Sequence, residues 1–87
     1  MSAERVNGFI EAMKQAFDNL DTYRKLQCSY QYYHNTKVLL VRCTETTTGK
    51  IISRIITKYH IFEVADADMA HIARIHAEDI IDKLLNP

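Results

Sequence analysis

The sequence predicts one α+β domain (αβββα) in which two helices cover one face of a three-stranded antiparallel sheet, a two-layer arrangement. Three observations predict it. Apolar residues recur every three or four positions at the start of the chain, alternate every second position through the middle, and return to helical spacing near the end. The 87 residues suffice for one core and are too few for two, so residues 1–87 are expected to form a single domain. Gly occurs only at positions 8 and 49 and Pro only at 87, which leaves no linker, no low-complexity tract and no Gly-rich phosphate loop.

The first helix is expected over residues 2 to about 25, ending somewhere between Asp21 and Leu26. Val6, Phe9, Ile10, Met13, Ala16, Phe17 and Leu20 form its apolar stripe. Ser2 suits the N-cap, and Gly8 weakens the helix interior by about 1 kcal/mol relative to Ala. From Gln27 onward β-branched and aromatic residues replace the helix formers, and 27–33, 37–44 and 50–58 read as strands. The short connections make the sheet a meander, and Gly49 is the natural residue for a positive φ in the second turn. Met69, Ile72, Ala73, His76, Ile80 and Leu84 then mark a second helix over 65–85, capped by Asp66 or Asp68.

A first turn centred on Asn35 and Thr36 sets Cys28 opposite Cys43, Tyr30 opposite Val41 and Tyr32 opposite Leu39. These six share one apolar face, the natural bed for both helices. The other face carries Tyr33, Val38, Leu40 and Arg42. In the third strand Ile51 and Ile55 point one way and Ile52 and Ile56 the other, so two Ile side chains are left facing outward in either register. Taking Ile52 and Ile56 as that pair, with Arg54 between them, the expected partner-binding surface is Tyr33, Val38, Leu40, Arg42, Ile52, Arg54 and Ile56. Contiguous apolar patches of this kind mark association surfaces. The competing reading has residues 59–64 or the chain ends folded over the patch.

Eleven Lys and Arg balance eleven Asp and Glu, which argues against a phosphate-coating domain. The balance is not uniform along the chain. Residues 28–60 hold five basic groups against Glu45 alone, while 61–87 hold Arg74 and Lys83 against six acids. A basic sheet and an acidic last helix complement each other, within one chain or between two. Flanking charges (Arg42, Arg54 and Lys58 on the sheet, Asp79 and Asp82 on the helix) would set the orientation of a protein interface more than its affinity.

Catalytic and metal chemistry find little support. His71 and His76 are five apart and point about 140° from each other on a helix, so they do not form an i, i+4 metal pair. Cys28 and Cys43 have three roles open to them: a bridge, half a metal site, or packing as small apolar side chains. The apolar face and a reducing compartment favour the last. No nucleophile, base or paired carboxylate stands in a setting that supports a reaction, so no enzyme activity, catalytic residue, metal site or cofactor is expected. Without a charged-then-apolar leader, and with apolar runs no longer than about four residues against the ~20 a membrane span needs, the expected location is cytoplasmic with no membrane contact.

The order helix, three strands, helix is shared with double-stranded-RNA-binding domains, whose second helix opens with a Lys-rich turn. Here that turn is Asp66, Ala67, Asp68, which would set carboxylates against phosphates, so nucleic acid is not the expected partner. The string LQCSYQYYHNTKVLLVRCTETTTGKIISRI, about 30 of the 87 residues, resembles the FlaG family of flagellar proteins at Leu26, Val38, Val41, Thr48, Gly49, Ile52 and Ile55. That family continues with an Ile-Pro-Pro segment where this chain has Ile55, Ile56 and Thr57. The resemblance implies a non-enzymatic accessory role in filament assembly. The residues themselves imply a small protein-binding module that self-associates or binds a protein partner. A phage or mobile-element inhibitor that blocks a host protein is the alternative.

Overall fold

Each of the two changes of apolar period along the chain coincides with a change of structure. A computed structural model describes residues 2–20 and 26–85. Helix α1 spans Ser2–Leu20, strands β1, β2 and β3 span Leu26–Tyr33, Val38–Glu45 and Ile51–Ile56, a π-helical turn covers Tyr59–Glu63, and helix α2 spans Asp66–Leu85. The strand order is β1-β2-β3, antiparallel throughout. The α+β two-layer arrangement is as expected. The continuation of α1 to about residue 25 and the side chain of Ser2 lie outside the described residues.

The stripe of α1 buries Val6, Phe9, Met13, Ala16 and Phe17. Against it and the sheet, α2 buries Ala73, Ala77, Ile80 and Leu84. Two of these four are alanines, whose small side chains leave room for close packing. The sheet contributes Leu39, Val41, Cys43 and Ile56, all fully buried, with Cys28, Tyr30, Tyr32 and Ile52 at the margin of the same core.

The first hairpin has the register expected, with Cys28 opposite Cys43 and Tyr32 opposite Leu39. Its turn closes through Lys37, whose φ of 56° is left-handed and whose amide donates to the Tyr33 carbonyl at 2.7 Å. The second turn places its left-handed residue at Gly49, φ 76°. Glu45 organises that turn. Its carboxylate accepts from the amides of Thr47 (2.8 Å) and Thr48 (3.1 Å), and its own backbone bonds to Lys50 and Gly49. The Thr47 amide first, then the Thr48 hydroxyl, hold its carboxyl down at about 2.

Residues 59–64, expected either as a connection or as a cover for the outer sheet face, do something else. They coil into the π-helical turn on the helix side, burying Ile61 in the core and resting Phe62 edge-on against Tyr32. Arg5 of α1 secures this segment. Its Nε donates to the Ile61 carbonyl at 2.6 Å, and its two terminal nitrogens bond the Val64 carbonyl and the Asp66 carboxylate. Asp66 thus pairs with Arg5, while Asp66 and Asp68 together complement the α2 dipole at its positive end. At the far end Lys50 Nζ donates to the Lys83 carbonyl at 2.8 Å, supplying a donor to one of the last carbonyls of α2.

Candidate binding surface on the sheet

Alternation along the strands sends one set of side chains to the helices and the other away from them. The outward set is Tyr33 of β1, Val38, Leu40 and Arg42 of β2, and Ile51 and Ile55 of β3. Leu40 is flanked by Gln31 and Ile55, and Arg42 by Ser29 and Ser53. Tyr33 is 41% exposed, Ile51 55% and Ile55 62%, and Val38 and Leu40 are half-buried. Among the described residues no segment crosses this face, and none of its strand residues is acidic.

Three residues expected on this surface lie on the opposite one. Ile52 pairs with Cys43, Arg54 with Val41 and Ile56 with Leu39, so all three face the helices. The cause is the length of the second turn: the bond from the Glu45 amide to the Lys50 carbonyl closes a four-residue loop and fixes the register. Ile51 and Ile55 are the outward pair instead. Sequence alternation identified both candidate pairs but held no signal to choose between them.

Arg54 enters the helix side because α2 satisfies its charge. Its Nε donates to Nδ1 of His76 at 2.8 Å, and a terminal nitrogen pairs with Asp79. Nε2 of His76 lies 2.9 Å from Nδ1 of His60. Arginine only donates, so Nδ1 of neutral His76 accepts and its proton sits on Nε2, which donates to His60. Burial, with Arg54 and His60 adding, pushes His76 down to about 4, so the ring is neutral at physiological pH. Asp79 is held below the usual carboxylate range, first by the bond from Lys83 (3.2 Å) and further by Arg54. Arg54 and Asp79, expected to flank a partner, neutralise each other inside the molecule. Spacing alone did not reveal the His60, His76 and Arg54 contacts, since they join three separate elements.

Cys28 and Cys43 face each other as thiols with no disulfide between them. The hydrogen bond with Cys28, then burial, pushes the Cys43 thiol up, so it stays protonated and unreactive at neutral pH. His71 is exposed and His76 buried, on different sides of α2. Among the described residues no three His, Cys, Asp or Glu side chains are placed to hold a metal ion, and no helix is long and apolar enough to cross a membrane. Comparison with known protein families, curated proteins and solved structures finds no match to the chain, and the character of this surface is therefore read from its own residues.

Proposed function

We propose that the chain is a non-enzymatic protein-binding module that works through the outer face of its sheet. One observation carries the reading: Tyr33, Val38, Leu40, Ile51 and Ile55 form an apolar face from three strands, uncovered among the described residues. Transfer of such a face out of water supplies roughly 25 cal/mol per Å² of apolar area, the main driving force for association. Arg42 in the middle of the face and Lys37 and Lys58 at its hairpin end would orient the partner. The test replaces Leu40 with a photo-crosslinking residue, with the same residue at exposed Gln15 on α1 as the control. Covalent protein adducts at position 40 and none at position 15 are expected in the native cell extract. Equal labelling at the two positions, or none at position 40, overturns the reading.

A further inference from the structure

The occupant of that face can be argued from charge. The outward strand residues include Arg42 and no carboxylate, and exposed Lys37 and Lys58 lie beyond the strand ends at one end of the sheet. Two sheets stacked face to face would bring these basic groups together across a low-dielectric interface with no acid to offset them. Like charges so placed cost several kcal/mol. A symmetric sheet-to-sheet dimer is disfavoured for that reason.

The opposite side of the molecule has the complementary character. On α2 the residues Asp68, His71, Ile75, Glu78, Asp82 and Leu85 recur at spacings of three and four, and all are exposed. They stand diametrically opposite Ala73, Ala77, Ile80 and Leu84, which face the core. Ile75 is 47% and Leu85 44% exposed, so the stripe has an apolar component as well as three carboxylates. Arg74 neutralises Glu78 in part through a 2.7 Å pair. On α1 Glu4, Glu11 and Asp18 are also exposed, and Lys14 is paired with Glu11 at 3.5 Å. The helix layer is thus acidic outward, the sheet layer basic outward, and both surfaces carry unburied isoleucines.

We propose that the chain assembles with itself head to tail, the outer sheet face of one copy docking on the outward face of α2 of the next. This rests on the reading of the sheet face as an association surface and names its occupant. The two surfaces lie on opposite sides of a two-layer molecule, so the contact is heterologous and each copy keeps one unused face. Such contacts continue into a ring or a filament and do not stop at two. A molecule with principal extents of 38 × 26 × 18 Å has room on a broad face for the ~800 Å² per partner of a standard interface.

The experiment uses sedimentation velocity over a concentration series with three proteins: wild type, Ile55→Glu and Ile75→Glu, each confirmed as folded by circular dichroism. Both substituted side chains are exposed, so neither variant disturbs the core. The wild type is expected to exceed the mass of a dimer as concentration rises, with assembly weakened by salt. Each variant alone is expected to remain at 10.1 kDa. An equal mixture is expected to form a complex of two chains and stop, because each variant keeps the face the other lacks. If Ile75→Glu assembles like wild type while Ile55→Glu does not, the head-to-tail contact is overturned and the sheet-face reading stands. Wild type that stays monomeric at all concentrations, with no complex in the mixture, overturns self-association and leaves the sheet-face reading to the crosslinking at position 40. Binding of DNA or RNA at low salt that Arg42→Ala abolishes would assign the face to nucleic acid and overturn both.

Discussion

Leu39 and Leu40 are neighbours in one strand, yet they belong to surfaces built on different rules. On the inner face Leu39 is fully buried, and even the charged residues there find partners within the chain: Arg54 with His76 and Asp79, Glu45 with the amides of its own turn. On the outer face Leu40 lies beside Ile55 and Gln31, and among the described residues no layer covers them. A charged residue can enter a core when its partners are already in place, because the cost of dehydrating it is then offset. An apolar residue outside a core has no such resolution within the molecule. The polar cluster of the inner face therefore reads as architecture, and the apolar cluster of the outer face is the basis of the proposed association.

The sharpest way to break this comparison is to truncate the two leucines. Leu39→Ala should cost about 2–5 kcal/mol in urea unfolding, from lost transfer energy and the cavity left behind. Leu40→Ala should cost about 1 kcal/mol or less while weakening association. Equal losses of stability would mean that both faces are load-sharing parts of one core.

Acid probes the inner cluster next. His76 titrates near 4 in the folded protein and near 6.5 when unfolded, so between those values the unfolded chain binds the extra proton. Stability from this group is complete above pH 6.5 and is lost as the pH falls toward 4, a change on the order of 3 kcal/mol. Glu45, held near 2, adds a further loss of the same sign as pH falls below 4.5. In His76→Gln, which retains a polar side chain without the titration, unfolding free energy measured from pH 7 to 4 should lose the His76 part of its slope. An unchanged slope would show that another group governs acid sensitivity.

Arg5→Ala leaves the Ile61 and Val64 carbonyls without their donors and should destabilise by about 1–3 kcal/mol. Hydrogen exchange should then accelerate first in residues 59–64, and uniform acceleration over the whole chain would count against the clamp. The smallest effect is a gain. A Cβ on Gly8 would sit 3.6 Å from Met69 Sδ, an ordinary contact, so Gly8→Ala should raise stability by up to about 1 kcal/mol in thermal unfolding.

Much of the fold could be read from local pattern. The stripe from Val6 to Leu20, the alternation around Cys28 and Cys43, and the Thr-Gly turn each declare an element through side chains close together in sequence. The outer face of the sheet was legible in part. Tyr33, Val38, Leu40 and Arg42 stand on the expected outer face, while Ile52, Arg54 and Ile56 turned inward. Either isoleucine pair satisfied the alternation equally well, and Arg54 looked like a surface residue because its acceptors, His76 and Asp79, lie more than twenty residues away.

The amino-acid sequence specified the order of the elements and the register of the first hairpin, because apolar period and turn chemistry act over a few residues. Turn length sets the face of β3 that meets the helices; the inward coil of Tyr59–Glu63 and the pairing of Arg54 with Asp79 were settled only when the layers came together. Each depends on which distant groups arrive beside it, and burial of a charge is favourable or ruinous according to that arrival.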